Sequence, residues 1–177
     1  AETVEERQER KENVRLMIEQ GRHTADQGEL EMAEKNFLGA IRLDPRNREA
    51  YRGLADVYAK LGQNAEAGET YKFLLQLDPQ DDTVMVKLAD LAETEGDLEA
   101  AIRYLEKAVL INDNLAPRFA RLAELLKQLG QYPTALEAAS QAVDLEPQNP
   151  KYLDMLAEIS ILTGNKNLAE TAWQNLR

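Results

Sequence analysis

Apolar residues recur along this chain at the spacing of a helix face, in pairs of stripes separated by a glycine. Tyr51, Leu54, Ala55 and Tyr58 fall at i, i+3, i+4 and i+7, one side of an amphipathic helix. Gly62 follows Tyr58-Ala59-Lys60-Leu61, where a helix end favours a residue tolerant of the left-handed conformation. A second stripe, Ala67, Tyr71, Leu74 and Leu77, runs up to Asp78-Pro79, and proline disfavours helix in the residue before it. The pattern predicts two helices joined by a tight turn between Arg48 and Asp81.

The same punctuation recurs at Gly28, Gly62, Gly96, Gly130 and Gly164, always at the same interval, and each glycine is followed five positions later by an alanine: Ala33, Ala67, Ala101, Ala135 and Ala169. A fixed period of this length marks one helical hairpin copied and stacked. It sets repeats at 14–47, 48–81, 82–115, 116–149 and 150–177, the last interrupted after 28 of 34 positions. Small residues (Gly21, Ala55, Ala89, Ala123 and Ala157 in the first helix, Ala33 and its equivalents in the second) mark where the two helices approach closely. Phe37, Tyr71, Leu105 and Trp173 are expected to fill the space between them, Ala139 being the exception. Because no boundary interrupts the spacing, one continuous body is expected.

Residues 1–13 stand before the repeats and hold five acids and three bases. Glu6 and Arg10 sit at i,i+4, so the segment reads as a charged helical extension or linker, either a cap or a tether. The chain begins at Ala1 without methionine and stops at Arg177 inside the fifth repeat, which suggests a fragment of a longer protein.

The 34-residue period has small residues at the eighth and twentieth positions, a large residue near the twenty-fourth, and proline at the thirty-second in Pro45, Pro79 and Pro147. In this it resembles the tetratricopeptide repeat (TPR) family. Asp113 replaces the proline in the third repeat; Met17, Met85 and Leu153 stand where the family often has tryptophan, and Thr24, Ala92 and Ser160 where it often has tyrosine. The resemblance covers the chain from about Val14 onward. It implies an all-α fold, a right-handed superhelix (α-solenoid) of paired antiparallel helices, with a protein- or peptide-binding groove lined by the first helix of each repeat.

On that alignment the second, fifth, sixth, ninth, twelfth and thirteenth positions line the groove. The ninth gives Arg22, then Asp56, Asp90, Glu124 and Glu158, a column of four carboxylates in successive repeats, and a basic set, Arg52, Lys87 and Arg121, lies just before them. One reading is a charged track for a partner segment carrying lysine or arginine. The other is that Arg52–Asp56, Lys87–Asp90 and Arg121–Glu124 are local i,i+4 and i,i+3 pairs that merely solvate the face. A lysine-and-asparagine clamp for chaperone tails, known in one TPR subfamily, does not fit. One frame gives Ile18, Arg22, Gly53, Thr83 and Lys87; the next gives Arg52, Asp56, Lys87, Pro117 and Arg121, with an acid where the amide belongs.

In the fifth repeat Met155, Ile161 and Leu162 occupy groove positions that are polar or small in most other repeats, and Trp173 and Leu176 follow on the last helix. They form either an apolar pocket for an anchor residue, a surface covered by a further helix, or an interface for homo-oligomerisation.

The 177 residues carry a net charge of −11, which disfavours direct nucleic-acid binding. Cysteine is absent, which excludes disulfides and thiolate metal sites. No apolar run reaches the length of a membrane span, so no direct membrane insertion is expected from this segment. His23, the only histidine, stands in a packing column otherwise made of Val57, Leu91, Leu125 and Ile159, and reads as a semi-exposed first-repeat substitution, not a base or metal ligand. No cofactor, metal or catalytic site is expected, and the chain reads as a non-enzymatic, cytoplasmic interaction module. The alternatives are a self-associating or membrane-tethered scaffold and a regulatory domain of a larger protein.

Overall fold

The computed structural model describes residues 2–176; Ala1 and Arg177, which bound the first and last predicted segments, lie outside the described residues. Among the described residues ten helices follow one another: α1 (Val4–Asp26), α2 (Leu30–Leu43), α3 (Arg48–Lys60), α4 (Asn64–Leu77), α5 (Asp82–Thr94), α6 (Leu98–Ile111), α7 (Ala116–Gln128), α8 (Tyr132–Leu145), α9 (Pro150–Leu162) and α10 (Lys166–Gln174). They form five hairpins in the predicted register, and the fold is all-α. The chain resolves into two compact units, Ala1–Leu91 and Ala92–Arg177.

The turns explain the glycine period. At the end of α3 the Gly62 N–H donates to the Ala59 carbonyl and the Gln63 N–H to the Tyr58 carbonyl at 2.9 Å, the two bonds of a Schellman motif. The motif places Gly62 at φ 75°, and all five turn glycines lie between 73° and 81°, a region costly for any residue with a Cβ. The second helices end differently: Asp44 and Asp78 are non-helical C-caps, at ψ 88° and 94°, immediately before Pro45 and Pro79.

Residues 4–13 form the first half of α1, which runs unbroken through Val14. The expected Glu6–Arg10 pair does not form. Glu6 accepts from the backbone N–H of Thr3 at 2.8 Å, completing a capping box. Arg10 turns to Glu2 at 2.8 Å and to the Leu43 carbonyl at 3.1 Å, tying the start of α1 to the end of α2.

In the N-terminal unit the core centres on Phe37 and Tyr71, each 1% exposed, with Leu74, Val57 and the alanines of the close approaches. The Phe37 ring lies against two glycines on successive first helices. A Cβ built at Gly53 would stand 2.3 Å from the ring, and one at Gly21 2.8 Å, so both positions require the absence of a side chain. In the C-terminal unit Leu105, Leu153 and Ile159 are buried among Ala135, Ala139 and Ala142. Trp173, placed among the space-filling residues, is 42% exposed; among the described residues no helix covers it as α3 covers Phe37.

Candidate partner-binding surface

The groove positions sit on the first helix of each hairpin, α1, α3 and α5 in the N-terminal unit and α7 and α9 in the C-terminal one. In the N-terminal unit the basic side chains reach away from their own helix. Arg52 pairs with Asp81 and donates to the Thr83 hydroxyl at 3.0 Å, and Arg48 reaches Asp78 at 2.7 Å and Asp81 at 3.1 Å. Asp81 is buried and also accepts from the Val84 N–H, capping α5. Burial opposes its ionisation, but the Thr83 hydroxyl, the Val84 N–H and the two guanidiniums outweigh that cost and hold its carboxyl below the ordinary range.

One turn further along α3, Asp56 accepts a hydrogen bond from the Tyr71 hydroxyl and faces the Lys87 ammonium at 3.5 Å. Burial, the bond to Asp56 and the negative charges of Asp56 and Asp90 push the Tyr71 phenol far above its usual pKa, so it stays a donor at every physiological pH. Asp56, Tyr71, Lys87, Asp90 and Lys60 together line an open hollow with Leu91 and Ala59 at its base. The local Arg52–Asp56 pair is therefore replaced: Arg52 turns to Asp81 at the end of its own repeat and to Thr83 of the next, and Asp56 faces Lys87 of the next repeat. Arg22 likewise reaches forward, to Glu49 at 3.0 Å, with both side chains well exposed.

In the C-terminal unit Arg121 clasps Glu93 through two bonds, at 3.0 and 2.6 Å. Lys127 bridges Glu124 at 2.9 Å and Glu158 at 3.2 Å. Partial burial disfavours the Lys127 ammonium, and the two carboxylates more than compensate, raising its pKa. Met155 is half-buried, whereas Ile161, Leu162 and Trp173 are 48%, 45% and 42% exposed. His23 is exposed and lines a shallow hollow with Leu16 and Met32, while its register equivalents Val57, Leu91, Leu125 and Ile159 are buried.

Sequence reasoning missed Tyr71, Asp81, Glu93 and Lys127 as polar participants. Glu93 and Lys127 share the twelfth position of their repeats, itself a groove position; the Glu93–Arg121 and Lys127–Glu158 pairs cross between repeats, whereas Lys127–Glu124 is an i,i+3 pair along α7. Asp81 stands at the thirty-fourth position, where Asn47 and Asn149 cap α3 and α9; its capping type was a readable signal. Among the described residues no group of three or more ligand side chains could hold a metal ion, and no helix is long and apolar enough to cross a membrane.

Comparison with known proteins decides the family. A family model described as tetratricopeptide repeat matches residues 18–82, and a second of the same description matches 62–129 and 92–159. The chain belongs to the tetratricopeptide repeat family. Among curated relatives, Superkiller protein 3 of Schizosaccharomyces pombe is 28% identical over 137 residues, 70% of this chain and 10% of that protein. Human Tetratricopeptide repeat protein 7B is 30% identical over 111 residues, 63% of this chain and 13% of that protein. This TPR chain thus spans about a tenth of the length of such relatives. Among solved structures, MamA aligns with a TM-score of 0.79 at 20% identity, over 93% of this chain and 90% of that one. YrrB, described as a TPR protein with an unusual peptide-binding site, aligns at 0.73 and 19% identity, over 90% of this chain and 82% of that one. At these identities the likeness establishes the fold. The TPR fold is a generic protein–protein interaction module and typically a non-catalytic scaffold.

Proposed function

We propose that this TPR chain binds a peptide or protein segment on the first-helix face, and that the hollow around Asp56, Tyr71, Lys87 and Asp90 is its principal recognition site. One observation carries the reading. The polar groups of the hollow are held in place from three helices, by the Tyr71–Asp56 bond and the Lys87–Asp56 pair, so little ordering is required when a partner arrives. Arg22 and Arg52 flank it within the same unit. Arg121, Glu124 and Glu158, organised by Glu93 and Lys127, are the corresponding contacts of the C-terminal unit. The carboxylates favour a partner with lysine or arginine, while Lys60 and Lys87 offer donors to its main-chain carbonyls.

The test is peptide-display selection on the wild-type protein, followed by anisotropy titration of the selected peptides against Asp56→Asn/Asp90→Asn. Asparagine keeps an acceptor for Tyr71, so folding, checked by thermal melting, is expected to survive. Enrichment of basic peptides and at least about tenfold weaker binding to the double variant, about 1.4 kcal/mol, is expected. Unchanged affinity would remove the hollow from the binding site.

A second reading rests on the exposed Ile161, Leu162 and Trp173, supported by half-buried Met155: self-association through the C-terminal repeat. Sedimentation over a concentration range tests it, a strictly monomeric chain arguing against it.

A further inference from the structure

The C-terminal unit carries a second groove, on the opposite kind of surface. It opens between α6 and α8, the second helices of two hairpins, and is floored by Phe119, Leu122 and Leu126 of α7. It exists because α8 is built of small residues. Ala138 stands in α8 at the register position that Tyr104 holds in α6, one repeat earlier, and Ala138 lines the groove.

The lining has a definite charge. Glu106 on α6 and Glu137 on α8 stand in it, and among the described residues no basic side chain does. Both carboxylates are exposed, and among the described residues neither makes an ion pair, unlike the carboxylates of the first-helix face, which are tied to Tyr71, Lys87 or Lys127. An apolar floor between two uncompensated acids calls for a complementary occupant: apolar side chains on one side and lysine or arginine on the flanks.

We infer that the α6–α8 groove is a docking site for a basic amphipathic helical segment of a partner protein. Its apolar stripe lies over Phe119, Leu122 and Leu126, and its flanking cations face Glu106 and Glu137. The site is distinct from the hollow at Asp56 and Tyr71 and does not depend on it.

The probe is a fluorescein-labelled amphipathic leucine/lysine helix, compared with a leucine/glutamate helix of the same pattern, titrated by anisotropy at moderate salt. Binding of the lysine peptide only is expected, with at least about fivefold weaker binding to Glu106→Lys/Glu137→Lys and unchanged binding to Asp56→Asn/Asp90→Asn. Because both glutamates are exposed and unpaired, the reversed variant should melt as the wild type does. A second variant, Ser140→Trp, fills the groove from its rim without touching either charge and should also weaken binding. The proposal is overturned if the lysine peptide does not bind, if the glutamate peptide binds equally well, or if both groove variants bind as the wild type does. Loss of binding only in Asp56→Asn/Asp90→Asn would assign the peptide to the first-helix hollow and equally overturn it.

Discussion

The first two repeat junctions place an aromatic ring at the same register position and surround it with opposite chemistry. Phe37 closes the first junction against Gly21 and Gly53, two positions with no room for a Cβ. Tyr71 closes the second, one repeat later, with its hydroxyl on Asp56 and Lys87 beyond. Gly53 and Lys87 are the same sixth position of consecutive repeats. A repeat can change its chemistry without changing its stack: the period keeps the volume needed for stacking, while a packing position gains a polar tip and the residue facing it gains a charge. The first junction is sealed; the second is open and polar.

Breaking the sealed junction should have the larger effect. Gly53→Ala forces a methyl into the Phe37 ring, and overpacking of this kind costs about 1–3 kcal/mol, despite alanine's better helix propensity. The control is Gly68→Ala, where a Cβ would meet only Leu91, at 3.8 Å. That variant should gain about 0.5–1 kcal/mol from helix propensity. Urea melts of both check the claim, and equal effects would mean that the glycine slot is not what seats Phe37.

The open junction should instead show itself in pH. Asp81 has its folded-state pKa below the ordinary 3.8, so its contribution is present above that value and is lost as pH falls through the lower folded pKa. Asp81→Asn keeps the cap on Val84 but loses the charge facing Arg48 and Arg52. It should cost about 1–2 kcal/mol at neutral pH and give a shallower loss of stability below pH about 4. Melts from pH 2 to 7 make the comparison; parallel curves for variant and wild type would contradict the assignment.

Tyr71→Phe converts the second junction toward the first. The ring stays and the bond to Asp56 goes, for a loss of about 1 kcal/mol. A larger loss would mean that the hydroxyl also positions the ring. Smallest of all, Arg22→Ala removes an exposed pair with Glu49, and exposed pairs contribute little. Its melting curve should superimpose on that of the wild type.

Much of the fold was legible because its signals are local. Gly62 stops a helix whatever surrounds it, and Pro79 ends another. The stripe Tyr51, Leu54, Ala55 and Tyr58 names its own buried face. The polar wiring was not legible along the chain, because it joins residues about one repeat apart. Arg52 has Asp56 within reach on its own helix and yet takes Asp81, which sits buried at the start of α5, two helices on, where its charge is best compensated. Trp173 shows the same dependence: its register position is a packing one, but burial there needs a facing helix, as Phe37 depends on α3, and the residue type alone does not supply one.

The claim that recognition resides in the open junction is tested most directly by an amide chemical-shift map of the protein titrated with its display-selected peptide. Perturbations should concentrate on α3 and α5 around Asp56, Lys87 and Asp90 and on Tyr71 of α4. Perturbations confined to α9 and α10, or to α6 and α8, would contradict it.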